Sequence, residues 1–184
     1  MTTLVLLIRG INVGGAKPLP MARLRSICEA LGHGDVRTYL QSGNVVCTSA
    51  RGDPRSHARA LERALSKEAA AGALVEARTA QGIARAVAAN PLAGRSAGGT
   101  DGLHATFLIR PPAGLSLAGL ALPLRPGEAA EMVGDVVYVY CPHGYGDTRI
   151  NNTFFERKLG VHATTRNWRT VLALHAMASG GPAP

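Results

Sequence analysis

Cysteine is scarce. Cys28, Cys47 and Cys141 are too few and too scattered for a disulfide framework, none belongs to a CxxC pair, and none has a histidine at a metal-ligand spacing. A reducing, cytoplasmic setting is therefore expected. Long apolar runs are missing as well. No stretch approaches the ~20 residues of a membrane span, and the run Leu4 to Ile8 is cut at once by Arg9, with no basic region before it, so neither a membrane segment nor a secretory leader is expected. Lysine is rare: 3 of the 20 basic residues are Lys and 17 are Arg, so the excess over 12 acids, a net +8, persists at any physiological pH. That excess favours anionic partners at low salt, and it equally fits an Arg- and Ala-rich vocabulary that serves only solubility.

Catalytic signatures are thin. The six histidines form no HxH, HxxxH or HExxH pattern, which leaves metal catalysis without a ligand set, and neither a cofactor nor a metal is expected. GxSxG and the Walker A loop are absent, and Lys17 neither follows a glycine directly nor precedes a Ser or Thr. Tyr138 and Tyr140 lie two apart, hence on one strand face, but the glycine-aromatic signature of RNA-recognition plaits is missing.

What is present is a 184-residue chain with 46% hydrophobic residues, enough for one large domain or two small ones. Leu4 to Ile8 reads as a strand buried on both faces. After a Gly- and Pro-punctuated loop, Pro20 opens a helix whose apolar positions Leu24, Ile27, Cys28 and Leu31 follow a 3.6 period, and Gly32 ends it. Val36 to Gln41 and Asn44 to Thr48 form a hairpin about Ser42-Gly43. Asp53-Pro54 starts a helix with Ala58, Leu61, Leu65 and Ala69 on one face, and Leu74 to Arg78 is a fourth strand. The order βαββαβ is that of the ferredoxin-like plait.

A linking helix runs from about Gln81 to Ala89, and the tract Ala93 to Gly102 reads as a loop. The order then recurs. Leu103 to Arg110 is a strand, Leu115 to Leu120 a short helix, Glu128 to Val133 and Val136 to Cys141 a hairpin, Asn151 to Leu159 a helix containing the capping-box pattern Thr153 to Glu156, and Val161 to Thr164 a short strand. A C-terminal helix carries Trp168, Val171, Leu172 and His175 on one face. The expected fold is thus α+β, two ferredoxin-like plaits in tandem with an added C-terminal helix. The first occupies 1–78; the linking helix, second plait and terminal helix occupy 79–184.

Three polar segments stand out. The loop from Arg9 to Lys17 joins a strand to a helix N-terminus, where Gly14 and Gly15 let backbone amides turn toward an anion; the alternative is a purely structural turn. In Tyr39 to Asn44, the side chains of Gln41, Ser42 and Asn44 can orient a ligand or simply build the turn. Thr164 to Arg169 combines hydroxyls, guanidinium forks and amides at a helix start, while Thr165 or Asn167 serves equally as an N-cap and Trp168 as a core anchor.

Leu7 to Gly15 with Pro20 to Leu24, then Val36 to Val46, then Ala163 to Val171 resemble, in that order, the bacterial family called domain of unknown function 1697. Asn90-Pro91, Leu103-His104 and Phe154 through Gly160 extend the resemblance over nearly the whole chain. It implies two α/β plaits in one chain and brings no established catalytic residues to carry over, since the family's activity is uncharacterised. Thr148 to Asn151 stands where the family usually has Ser-Lys-Leu-Thr, and Arg169 stands where it has Asn.

These segments lead to one expectation: they converge into a cationic cleft for an anionic ligand, with DNA or RNA phosphate favoured. Arg9, Lys17, Arg149, Arg166 and Arg169 would neutralise charge; Asn12, Gln41, Ser42 and Asn44 would orient the ligand; Gly14, Gly15, Thr165 and Asn167 would supply amides and hydroxyls. The alternative is a small-molecule enzyme acting on a phosphorylated or carboxylated metabolite in the same cleft, without an evident nucleophile or base. A third reading is an interaction module whose polar turns are merely turns.

Overall fold

The apolar run at the N-terminus sits at the middle of a sheet. In the computed structural model, which describes residues 1–12, 18–50, 52–68, 72–96 and 99–181, β1 (Thr2–Arg9) pairs antiparallel on one side with β3 (Asn44–Ser49) and on the other with β4 (Leu74–Thr79). β2 (Gly34–Tyr39) joins the outer edge of β3, so the strand order is β2-β3-β1-β4. Strands Leu4 to Ile8 are buried on both faces, which explains the lack of alternation in the sequence.

Two helices cover one face of this sheet. α1 (Met21–Ala30) presents Leu24, Ile27 and Cys28, and α2 (Pro54–Leu65) presents Ala58, Leu61 and Leu65, to Leu4, Leu6, Ile8, Val45, Cys47 and Val75. Each fully buried leucine here contributes about 2 kcal/mol of transfer free energy. The starts and stops follow the expected chemistry. Asp53 caps α2, accepting from the Ser56 amide at 3.1 Å, with Pro54 at the first position. Gly32 takes φ +83° just past α1. Ala69, expected on the core face of α2, lies outside the described residues.

The second sheet contains β5 (Leu103–Leu108), β6 (Ala129–Val133), β7 (Val136–Tyr140) and β8 (Ala163–Asn167), all antiparallel in the order β6-β7-β5-β8. On one face, Leu108, Val137, Val139 and Ala163 pack with Phe154, Phe155 and Leu159 of α4 (Asn152–Leu159). The other helices are α3 (Ala80–Ala88) and α5 (Trp168–Ala178), and a short 3-10 turn spans Ala93–Ser96. The protein is therefore α+β, with two four-stranded antiparallel sheets and five α-helices among the described residues. The chain divides into two units, Met1–Arg85 with Ala173–Pro184, and Ala86–Leu172.

Three local expectations need correction. The helix expected at Leu115 to Leu120 is irregular chain. Pro111-Pro112, Gly114 and Gly119 interrupt it, and Leu115, Leu117, Leu120 and Leu122 cover the α4 core without helical phase. The helix α4 is capped not by a Thr153 to Glu156 box but by Asn151, whose side chain accepts from the Phe154 amide at 3.1 Å. Glu156 instead accepts from the Ala163 amide at 2.8 Å and so fixes the start of β8. Finally, Thr164 to Asn167 belongs to a strand rather than to a helix start, because the β-branched Thr164 and Thr165 continue the pairing with β5 up to Asn167 opposite His104.

Candidate functional site

Asn12 sits in the left-handed region at φ +55°, which asparagine tolerates better than most residues. Its Nδ2 donates to the carbonyls of Leu19 (3.1 Å) and Gln41 (3.0 Å), and its Oδ1 accepts from the Leu19 amide at 2.7 Å. Both amide protons and the carbonyl are thus engaged by main chain. The side chain clamps the two ends of the loop that follows β1 and ties them to the β2-β3 turn. Gly14, Gly15 and Lys17, expected to face a ligand, lie outside the described residues.

Asn12→Ala removes those three bonds and leaves a residue with a Cβ at positive φ. A loss of about 2 kcal/mol from unit 1 is expected in urea denaturation, with Asn12→Gly recovering part of it because glycine adopts that φ freely. Equal costs for both variants would show that φ contributes nothing.

The β2-β3 turn is built from the inside. The wholly buried Asn44 donates through Nδ2 to the Tyr39 carbonyl and to Ser42 Oγ, both at 3.0 Å, and the Gly43 carbonyl accepts from the Ile8 amide at 2.8 Å. Gln41 and Ser42 are exposed. Of the residues expected to meet, unit 1 brings together Asn12, Gln41, Ser42 and Asn44, with Arg9 half-buried at the end of β1.

In unit 2, Arg166 lies inside β8 at 8% exposure. Its Nη1 donates to Thr164 Oγ1 (2.7 Å) and the Thr165 carbonyl (2.9 Å), and burial pulls its pKa down to about 10, which still leaves it charged at neutral pH. Thr165 is a hub: its hydroxyl donates to Asn152 Oδ1 (3.0 Å), accepts from the Tyr145 hydroxyl (3.1 Å) and meets Thr106 Oγ1 (2.8 Å). Tyr145 stacks on His104 with ring centroids 4.3 Å apart; burial raises the tyrosine pKa and lowers that of the histidine. Asn167 Oδ1 accepts from the Thr170 amide at 2.8 Å and caps α5, while Trp168 is buried edge-on to Tyr138. Arg149 and Arg169 are exposed.

One exposed row of positive charge was not singled out from the sequence. Arg55, Arg59 and Arg63 recur every four residues along the solvent side of α2 and, with Asp53 and Ser56, line an open hollow of about 340 Å³. Glu62 in the same helix turns away to accept from the Val75 amide at 2.9 Å, and Glu68 pairs with Arg23. The signal was there in the spacing, beside the apolar period of Ala58, Leu61 and Leu65.

His57 of the same helix takes part in a second polar chain. His33 Nδ1 lies 3.0 Å from the Cys28 carbonyl, His33 Nε2 lies 3.1 Å from His57 Nδ1, and His57 Nε2 lies 3.1 Å from Ser49 Oγ. Burial lowers the His33 pKa, offset in part by the Cys28 carbonyl and reinforced by His57. Because the unfolded histidine binds a proton more readily than the folded one, unit 1 is expected to lose stability as pH falls below about 6.5. Urea midpoints between pH 8 and pH 5 check this, and His33→Gln should flatten the trend.

Burial raises the Cys28 thiol to about 12 and the Cys47 thiol to about 11 and pushes the Cys141 thiol up as well, so none of the three free cysteines is a thiolate at neutral pH. Among the described residues, no three His, Cys, Asp or Glu side chains gather to hold a metal ion, and no helix is long and apolar enough to cross a membrane.

Comparison with known structures finds the same fold in a conserved bacterial protein, SP0830 from Streptococcus pneumoniae, with a TM-score of 0.71 at 22% identity over 96% of this chain and 98% of that one. The family described as protein of unknown function, DUF1697, matches residues 1–138, and the chain belongs to it. No curated protein matches.

Proposed function

We propose that this protein binds nucleic-acid phosphate, and that the arginine face of α2 is where it does so. One observation carries the reading: Arg55, Arg59 and Arg63 stand exposed in a row around one hollow, in a chain of net +8. At ~1.5 Å rise per residue the guanidinium stems are about 6 Å apart along the helix, a spacing that suits successive phosphates of one strand. Arginine forks match phosphate oxygens bidentately and keep their charge at any working pH. Arg149 and Arg169 add exposed charge in unit 2, and the half-buried Arg9 carries a further charge in unit 1.

The scaffold in this reading is a pair of ferredoxin-like plaits in tandem, the first over 1–78 and the second within 79–184. The matching strand orders β2-β3-β1-β4 and β6-β7-β5-β8 support it, with irregular chain in place of the second unit's first helix. Three buried free thiols agree with a cytoplasmic setting. Titration of the full chain with a short DNA and a short RNA at two salt concentrations tests the reading: salt-sensitive binding supports it, and binding that ignores salt, or none at low salt, overturns it.

A further inference from the structure

Ser49 ends β3, His57 lies near the start of α2, and His33 follows α1, so the hydrogen-bond chain between them joins three separate stretches of unit 1. Its direction is set by one atom. A backbone carbonyl can only accept, so the Cys28 carbonyl places the His33 proton on Nδ1 and leaves Nε2 bare. His57 must then donate from Nδ1, which leaves its Nε2 as the acceptor for the Ser49 hydroxyl proton. A hydroxyl held on a basic nitrogen, whose ring is oriented by a third group, is the arrangement that activates a nucleophile.

We infer that Ser49 is the nucleophile of an acyl-transfer site, with His57 as its general base and His33 as a positioning residue. The inference is independent of phosphate binding on α2. Gly52, an exposed residue at φ +109°, passes close to the reacting pair: a Cβ there would stand 2.9 Å from His57 Nε2, so only glycine leaves that nitrogen uncrowded. Ser49 is 7% exposed, which restricts the substrate to an ester with a small acyl group. In the reaction Ser49 Oγ bonds to the ester carbonyl carbon as its proton passes to His57 Nε2. The C–O bond to the alcohol then breaks, and the departing oxygen takes that proton. Water, deprotonated by the same nitrogen, releases the carboxylic acid and restores the serine.

Competition from thiols is removed by the raised Cys28 and Cys47 pKa values. The test uses the full chain and a small alkyl fluorophosphonate. Ser49 Oγ bonds to phosphorus, fluoride leaves, and the proton goes to His57. A single adduct on the Ser49 peptide is expected, absent in Ser49→Ala, with a labelling rate at least about a hundredfold lower in His57→Gln. His33→Gln should keep the adduct but shift the midpoint of the rate against pH, which a merely structural role would leave in place. If His57→Gln does not fold by circular dichroism, the wild-type profile decides: a rate that falls as the pH drops through the histidine range supports the site, and a flat profile overturns it. No adduct on Ser49, or one formed equally fast in a folded His57→Gln, also overturns it.

Discussion

Gly43→Ala is expected to destabilise unit 1 by about 2 to 4 kcal/mol, from two costs that act together. Gly43 has φ +73°, where an L side chain is strained, and a Cβ there would stand 2.5 Å from Ile11 Cγ2 and 2.9 Å from the Ile8 Cβ. Neither neighbour can easily yield. Ile8 is held in the centre of the sheet by backbone pairing on both sides, and Ile11 is buried at 3% exposure. The expected result is a clear fall in the urea midpoint with an unchanged slope; a cost under about 1 kcal/mol would mean that the turn opens freely away from β1. The same closeness explains why Asn12 reaches the Gln41 carbonyl, since the glycine lets the turn lie against the chain just after β1.

Replacing Arg55, Arg59 and Arg63 together by glutamine should weaken nucleic-acid binding on the order of a thousandfold at about 50 mM salt, because each neutralised phosphate contributes its own released counterions. The substitutions sit on the solvent side of α2, while Ala58, Leu61 and Leu65 keep the core face, so stability should change little. Three residues that lie elsewhere in the chain offer the contrast. Arg166 is buried and bonded to Thr164 and Thr165, so its replacement should change stability more than affinity. Asn12 and Asn44 likewise spend their amides on main chain and on Ser42.

Much of the first unit was legible because local chemistry and tertiary packing agree there. The unbroken run Leu4 to Ile8, Pro20 before α1, and the Asp53-Pro54 pair before α2 each carry a physical signal within a few residues. Leu115 to Leu120 misled because its leucines are half-buried for a different reason: they cover a core as irregular chain after Pro111-Pro112, with Gly114 and Gly119 breaking any helix. The Ser49, His57 and His33 chain was illegible for a plainer reason. Its members are spaced 8 and 24 residues apart, and the atom that orients them is a main-chain carbonyl. The role of Asn12 was hidden in the same way, since its partners are the backbone of Leu19 and Gln41. The arginine row was visible in the spacing, but a four-residue recurrence of charge on an amphipathic helix ordinarily marks only its wet side.

The most direct measurement is the slope of log binding constant against log salt for the native chain and for the triple glutamine variant on one oligonucleotide. A slope near −5 for the native chain, as about six phosphate contacts give, that becomes shallower by about 2 to 3 in the variant is the result expected. Identical slopes in the two proteins, or a native slope near zero, would contradict the assignment of α2 as the phosphate-binding face.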